Sequence, residues 1–306
     1  MNSNQSWVVV ADEPALTGLV TTARELAPQV VAVVVGSRAA ADAAARAADR
    51  VVWLGEPGQV PVEAYATAVA DVVAAAAPAA VVGATSPAAR ALLGAVAARL
   101  GAPVLSNVQQ VEAAADGAVV THAVLGGLVE HRTGVAGVPV LAVDAGAVPA
   151  DGPAVPVEES PATPLGGVTI TQVRPRERTG GDLGSARTVV AIGRGLRAEA
   201  DLAIVTALTD ALGGELACSR PLAEGVDWVS KDRYIGISGQ RVSPDLYLAI
   251  GISGQLQHMV GVRGAGTVVA INSDKDAPVF AQCDYGIVGD LYDVVPALTA
   301  ALGGGA

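Results

Sequence analysis

The chain has 306 residues, 51% apolar but only 3% aromatic, with 36 Gly, 18 Pro and a net charge of −11. That apolar content excludes a solvated, disordered chain. Apolar runs such as Val69–Val82 are broken by Asp71 and Pro78 and fall short of the roughly 18–20 uncharged residues of a membrane span. Ten basic residues face seventeen acidic ones up to position 183, and nine face thirteen beyond it, so neither half has the basic excess that a nucleic-acid partner requires.

The opening MNSNQSWVVVADEP has neither a basic segment nor a long apolar core, so no signal peptide is expected. Cys218 and Cys283 stand far apart in no CxxC pattern and read as small apolar residues in a reducing, cytoplasmic compartment.

In chain order, SWVVVAD predicts a strand, Pro14–Ala27 a helix, Val30–Val35 a strand ending at Gly36, and Arg38–Ala48 a helix. Val51–Leu54 follows as a strand, Pro61–Ala77 as a helix, Ala80–Gly83 as a strand, and Pro87–Leu100 as a helix stopped by Gly101. Pro14, Pro61 and Pro87 sit where a first helical turn begins, a position at which the missing N–H costs nothing. Continuous rather than alternating apolar strands between helices imply a parallel sheet covered on both faces. From Val104 to Val143 short runs split by Gly and Asp predict added antiparallel strands. Residues 144–166 carry five Pro and read as a loop, and VTITQVRP after it as one more strand returning to the first sheet.

The domain boundary is therefore placed at 183/184, with RERTGGDLGSAR as the linker. Beyond it a second α/β pattern runs through TVVAIG, a helix over Ala198–Leu212, GELACS, and an irregular stretch to Pro244. LYLAIGIS, a helix through QLQHMVG, TVVAIN, DYGIV and a helix over Leu291–Leu302 complete it. The expected fold class is α/β: a Rossmann-like N-terminal domain over 1–183, then a doubly wound parallel-sheet domain over 184–306.

Parallel sheets bind ligands at their carboxyl strand ends, and three such ends carry small or polar residues. Gly193-Arg194-Gly195 opens a helix after a strand; the glycines admit a phosphate to backbone N–H groups, but a GxG without a third glycine is equally a bare turn. In LYLAIGISGQLQHMVG, Ser253 between Gly251 and Gly254 opens a helix, with Gln257 and His258 one turn in; a bound pyrophosphate and an ordinary Ser N-cap both suit it. Asn272 and Asp290 follow the last two strands, where such residues receive ribose or adenine donors or cap turns. Arg220 follows the strand GELACS, and Ser238 sits in a Gly-flanked turn. His122 and His131 have no metal-ligand spacing to a carboxylate or Cys and read as structural or exposed.

Taken together, GRG, ELACSRP, the IGISG turn, PDLYLAIGISGQLQHM, AINSDKDAPVF and DYGIVGDLYDVVPALT closely resemble the FAD domain of the electron-transfer flavoprotein alpha subunit, six segments in order from Thr188 to the end. The first half resembles that family's N-terminal domain more loosely, through its β/α alternation and the GGL near residue 126. ELACSRPLAE, DRYIGIS and GISGQLQHMVG resemble the Fix-type, FixB-like branch.

The resemblance implies FAD as cofactor. It assigns Arg220, beside Ser219, to the isoalloxazine side, where a cation favours the reduced, anionic flavin. It places Ser238, in the turn Ile235–Gly236–Ile237–Ser238, near flavin N5, and His258 near the pyrimidine edge. Ser253, Gly254, Gln255, Leu256 and Gln257 fall on the pyrophosphate segment, Asn272, Asp290 and Leu291 on the adenosine part, and Arg194 on the GRG arginine. Ile237 stands where many members carry Gln, and Gln240 where Lys is common; both departures act towards a lower flavin potential.

The resemblance further implies a heterodimer with an electron-transfer flavoprotein beta subunit contacting the N-terminal domain, and redox partner flavoproteins. The protein would then be an electron carrier without substrate turnover of its own. Two rivals follow from the residues alone: an NAD-linked oxidoreductase using the GRG turn, and a non-redox nucleotide-binding module built on the first domain.

Overall fold

The structure, a computed structural model, describes residues 4–13, 15–125, 129–145, 150–174 and 181–303. The chain divides into two compact units, Met1–Arg174 and Pro175–Ala306.

The first unit holds strands β1 (Gln5–Ala11), β2 (Gln29–Val35), β3 (Arg50–Trp53), β4 (Ala80–Ala84), β5 (Val104–Ala114), β6 (Gly117–Val124), β7 (Val129–Ala136), β8 (Val140–Val143) and β9 (Val157–Glu159). Among the described residues they form one sheet in the order β7-β6-β5-β8-β4-β1-β2-β3-β9. Helices α1 (Thr17–Leu26) and α2 (Arg38–Ala45) pack on one face, α3 (Ala66–Ala75) and α4 (Pro87–Leu100) on the other. Strand periodicity of two sends Val8, Val10, Val30 and Val34 into the first core layer and Trp7, Val9, Val31 and Val33 into the second. Both faces are covered, so the strands are apolar throughout. The alanines that replace aromatics serve close approach: Ala40, Ala41, Ala44 and Ala45 bring α2 flat onto the sheet.

The ends of α4 match the sequence prediction. The Ser86 hydroxyl caps the helix by accepting from Ala89 N, Pro87 occupies the first turn, and Gly101 closes it at φ +65°. The same hydroxyl donates to Glu13 Oε1 at 2.7 Å. Ser86→Ala is therefore expected to cost about 1–2 kcal/mol, read from urea midpoints; an unchanged midpoint would remove the cap from this account.

Several expectations are corrected. VTITQVRP forms no strand over its described residues 168–174; the strand returning to the first sheet is β9, inside the Pro-rich loop, pairing parallel with β3. Three residues suffice for an edge strand, and edges tolerate flanking Pro. The added segment is antiparallel only for β5-β6-β7; β8 runs parallel to both β4 and β5. The helix expected over Arg38–Ala48 ends at Ala45, and the one expected over Pro61–Ala77 begins with a 3₁₀ turn, Val62–Tyr65. Pro14, the GGL motif at 126–128, Pro175 and residues 176–180 of the expected linker lie outside the described residues.

The second unit holds β10 (Thr188–Ile192), β11 (Glu215–Ser219), β12 (Tyr234–Ile235), β13 (Leu246–Ile250), β14 (Thr267–Asn272) and β15 (Tyr285–Val288). Its sheet runs β12-β11-β10-β13-β14-β15, every neighbour parallel. This is the dinucleotide-fold order, 3-2-1-4-5-6 counted within the unit, with its topological switch between β10 and β13. Helix α5 (Leu202–Ala211) follows a 3₁₀ turn at Glu199–Asp201, and α8 (Leu291–Gly303) follows the last strand, β15. The stretch read as irregular contains a short helix, α6 (Arg220–Glu224), and the edge strand β12. The expected helix through QLQHMVG is a single turn, α7 (Leu256–Met259), continued by a 3₁₀ turn. Leu183 packs into this unit's core beside Val189 and Tyr247.

Candidate functional site

The carboxyl ends of all six strands of the second unit open onto one cleft of about 810 Å³. Five steps of about 4.8 Å between adjacent strands make this edge about 24 Å long, which suits an elongated ligand. Fourteen of the sixteen residues singled out from the sequence line it. Ser219 and Arg220 come from the end of β11, the turn Ile235–Ser238 from β12, and Arg194 from β10. Ser253, Gln255, Gln257 and His258 come from β13, Asn272 from β14, and Asp290 and Leu291 from β15.

Gly254 and Leu256 do not line the cleft. Gly254, at φ +80°, lies against the chain at Val279, where a Cβ would meet the backbone nitrogen at 2.3 Å; its role is close packing. Leu256 is the first residue of α7.

The glycines of GRG and GIS serve one another. A Cβ on Gly193 would stand 2.2 Å from Gly251 O, and one on Gly251 2.9 Å from Gly195 Cα. Gly193 N donates to Ile250 O at 2.8 Å and Gly195 N to Gly251 O at 3.2 Å. The two turns at the switch point thus touch backbone to backbone, which explains a GxG with no third glycine. Ser253 is not the helix cap; Gln255 occupies that position, and Ser253 O instead accepts from Val279 N. The β12 turn is stitched to the same region: Ile237 N donates to Gln257 O at 2.8 Å, and Tyr234 OH to Ser238 O. Ile237 itself is 54% exposed, an apolar wall for a flat ring.

Some candidate side chains are already committed. Asn272 donates to Ile252 O at 2.9 Å and accepts from Asp274 N at 3.0 Å, so it builds the turn after β14. Asp290 caps α8 through Tyr292 N at 3.0 Å and pairs with Arg197 at 2.8 Å. Arg220 pairs with Glu224 one turn on at 2.5 Å. Arg197, Glu224 and Tyr234 line the cleft and were missed from sequence. The i,i+4 spacing of Arg220 and Glu224 was the one legible signal among them.

Other donors are uncommitted. The side chains of Arg194, Ser219, Ser238, Ser253, Gln255 and Gln257 make no hydrogen bond or ion pair among the described residues. His258 is 8% exposed, and its Nδ1 is buried without a hydrogen-bond partner. Its Nε2 lies 2.6 Å from Tyr247 OH. Burial lowers the imidazole pKa to about 4, the Ile235 backbone opposing it only in part, so the ring is neutral near pH 7. Burial pushes the Cys218 thiol up to about 12, as suits a small apolar residue.

An orphaned polar atom, free donors, a free arginine and an apolar wall on one switch-point cleft fit a flavin dinucleotide. Arg194, Ser253, Gln255 and Gln257 would hold its phosphates; Arg220, Ser238 and His258 would face the ring.

The first unit contrasts with this. At its own switch point, between β1 and β4, Glu13 is 9% exposed and accepts from Ala11 N at 2.5 Å and from the Ser86 hydroxyl. An acidic side chain fills the place a phosphate would need, which counts against the nucleotide-binding module read on that half. His122 on β6, half-buried, and His131 on β7, exposed, form a cross-strand pair 3.1 Å apart. Among the described residues no group of three or more His, Cys, Asp or Glu could hold a metal, and no helix is long and apolar enough to cross a membrane.

Comparison with known proteins agrees with both units. The electron transfer flavoprotein domain model matches residues 7–165, and the electron transfer flavoprotein FAD-binding domain model matches residues 182–263. Protein FixB of Salmonella typhimurium is 38% identical over 99% of this chain and 99% of its own length. Protein FixB of Escherichia coli O157:H7 and of Shigella flexneri is 38% identical over 98% of each chain. With both halves matched in order and the relatives aligned end to end, the chain belongs to the electron-transfer flavoprotein alpha family, in its FixB-like branch.

Proposed function

We propose that this chain binds FAD in its second unit and works as the alpha subunit of a heterodimer with an electron-transfer flavoprotein beta subunit. In that role it carries electrons from dehydrogenases to a quinone-reductase-type or ferredoxin-linked acceptor in the cytoplasm. The observation that supports this most is the convergence of six strand ends on one cleft whose phosphate-side and ring-side donors are uncommitted. When bound, FAD supplies reversible one- and two-electron chemistry. The chain's own work is to bind and orient the cofactor and to set which redox state it favours. Arg220 contributes a cation, and His258 a neutral ring in a low-dielectric wall.

An electron carrier needs no general base. Buried His258, with its pKa lowered to about 4, is poorly matched to general-base work near pH 7, which weighs against the NAD-linked oxidoreductase. The net charge of −11 suits protein redox partners with basic faces. A hinge in RERTGGDLGSAR remains part of this reading, with the boundary moved from 183/184 to before Leu183, which packs in the second unit's core.

Co-expressed with its beta partner, the purified heterodimer is expected to be yellow, with absorption at about 375 and 440 nm. A colourless, flavin-free heterodimer would overturn the proposal. Arg220→Ala is expected to weaken FAD retention about tenfold, as befits loss of one charge-assisted contact. Since Arg220 is exposed and only paired with Glu224, stability should hardly change; unchanged FAD affinity and potential would remove Arg220 from the ring side.

A further inference from the structure

Behind the cleft, Tyr247 of β13 and His258 of α7 form an isolated buried pair. Tyr247 is fully buried and His258 nearly so. The phenol oxygen lies 2.6 Å from Nε2, with ring centroids 6.2 Å apart. No other hydrogen bond reaches the Tyr247 hydroxyl among the described residues, and His258 Nδ1 has no partner.

Two proton arrangements satisfy the 2.6 Å contact, and they differ in what they leave unpaired. If Nε2–H donated to the phenol oxygen, the phenol hydrogen would be buried with no acceptor and the Nδ1 lone pair with no donor. If the phenol donates to Nε2, its hydrogen is satisfied and one group remains, an N–H at Nδ1 on a residue that lines the cleft. Each buried polar group left unpaired is costly, so the second arrangement, which leaves one rather than two, wins. The Ile235 backbone, which favours a protonated ring, makes no hydrogen bond of normal geometry with it and does not reverse this choice.

We propose that Tyr247 is a positioning residue that holds His258 in its Nδ1–H tautomer, so that the imidazole offers a neutral N–H donor to an acceptor atom bound in the cleft. Resting on the flavin reading, that acceptor is an oxygen or nitrogen of the bound flavin. A neutral donor strengthens its bond as negative charge grows on the acceptor. The tautomer lock itself needs no ligand.

The full chain, labelled with ¹⁵N-histidine, carries three histidines, and His258→Gln assigns the third by its disappearance. Long-range ¹H–¹⁵N spectra at neutral pH are expected to show His258 protonated at Nδ1 in the native chain, and a mixture of tautomers in Tyr247→Phe. Protonation at Nε2 in the native chain, or an unchanged spectrum in Tyr247→Phe, overturns the proposal; the first reading needs no variant to fold. In the heterodimer, Tyr247→Phe is expected to lower affinity for reduced FAD about fivefold relative to oxidised FAD. Equal loss for both redox states would overturn the link to the flavin. A native chain that shows the Nδ1–H tautomer yet binds no FAD supports the lock and sinks the flavin reading alone.

Discussion

Gly193→Ala is expected to cost the second unit about 3 kcal/mol and to abolish flavin retention by the heterodimer. The added Cβ would lie 2.2 Å from Gly251 O and 2.8 Å from both Gly251 C and Ile252 Cγ1. Two of those atoms are backbone, so no rotamer change relieves the overlap; the turns after β10 and β13 must separate. Overpacking of this kind costs about 1–3 kcal/mol, and loss of the Gly195 N–Gly251 O bond adds about 1 kcal/mol. Because these turns form the floor of the cleft, their separation misplaces Arg194 and Ser253 together. Gly213→Ala is the control: at φ +60° with nothing within 4 Å, it carries the left-handed penalty of about 1–2 kcal/mol and should leave flavin bound. Urea unfolding and absorbance after gel filtration read both effects. If Gly193→Ala retained flavin at native stability, the backbone-to-backbone switch point would not be what shapes the cleft.

Mild acid is expected to destabilise the second unit through His258. Its folded pKa is lowered to about 4 by burial, against about 6.5 in an unfolded chain. Between those values the unfolded state binds the extra proton, so stability rises with pH. The contribution is fully present above pH 6.5 and is lost as pH falls towards 4, up to about 3 kcal/mol at 1.36 kcal/mol per unit. Urea midpoints from pH 7.5 to 4.5 should fall more steeply in the native chain than in His258→Gln, whose neutral side chain lacks this titration. Parallel slopes would mean that His258 is solvated or charged in the fold.

Much of the architecture was legible along the chain because it rests on local patterns. Uninterrupted apolar strands such as QVVAVVV announce a doubly covered parallel sheet, and SPAARALLGAVAARLG carries its own cap, first-turn Pro and stop at Gly101. What failed has a common cause. VTITQVRP has the β-branched residues of a strand, yet the edge beside β3 was taken by Val157–Glu159. Strand propensity says that a segment suits a sheet, not that an edge is free for it. Likewise VPVLAV read as part of an antiparallel addition, but the gap between β4 and β5 accepts it parallel.

At the site, sequence alone determined which strand ends carry polar and glycine residues, and the resemblance assigned them to one cofactor. Only the tertiary structure decided what each residue is free to do. It joined six strand ends into one cleft, turned the GRG and GIS glycines into mutual contacts, and left Gly254 and Leu256 outside. It committed Asn272 and Asp290 to turns and caps while leaving Arg194 unpaired. Eleven positions separate Tyr247 from His258, and no local pattern shows that burial has paired one nitrogen and orphaned the other. Residue type sets which hydrogen bonds a side chain offers; the fold, by excluding water, decides which of them stay open to a ligand.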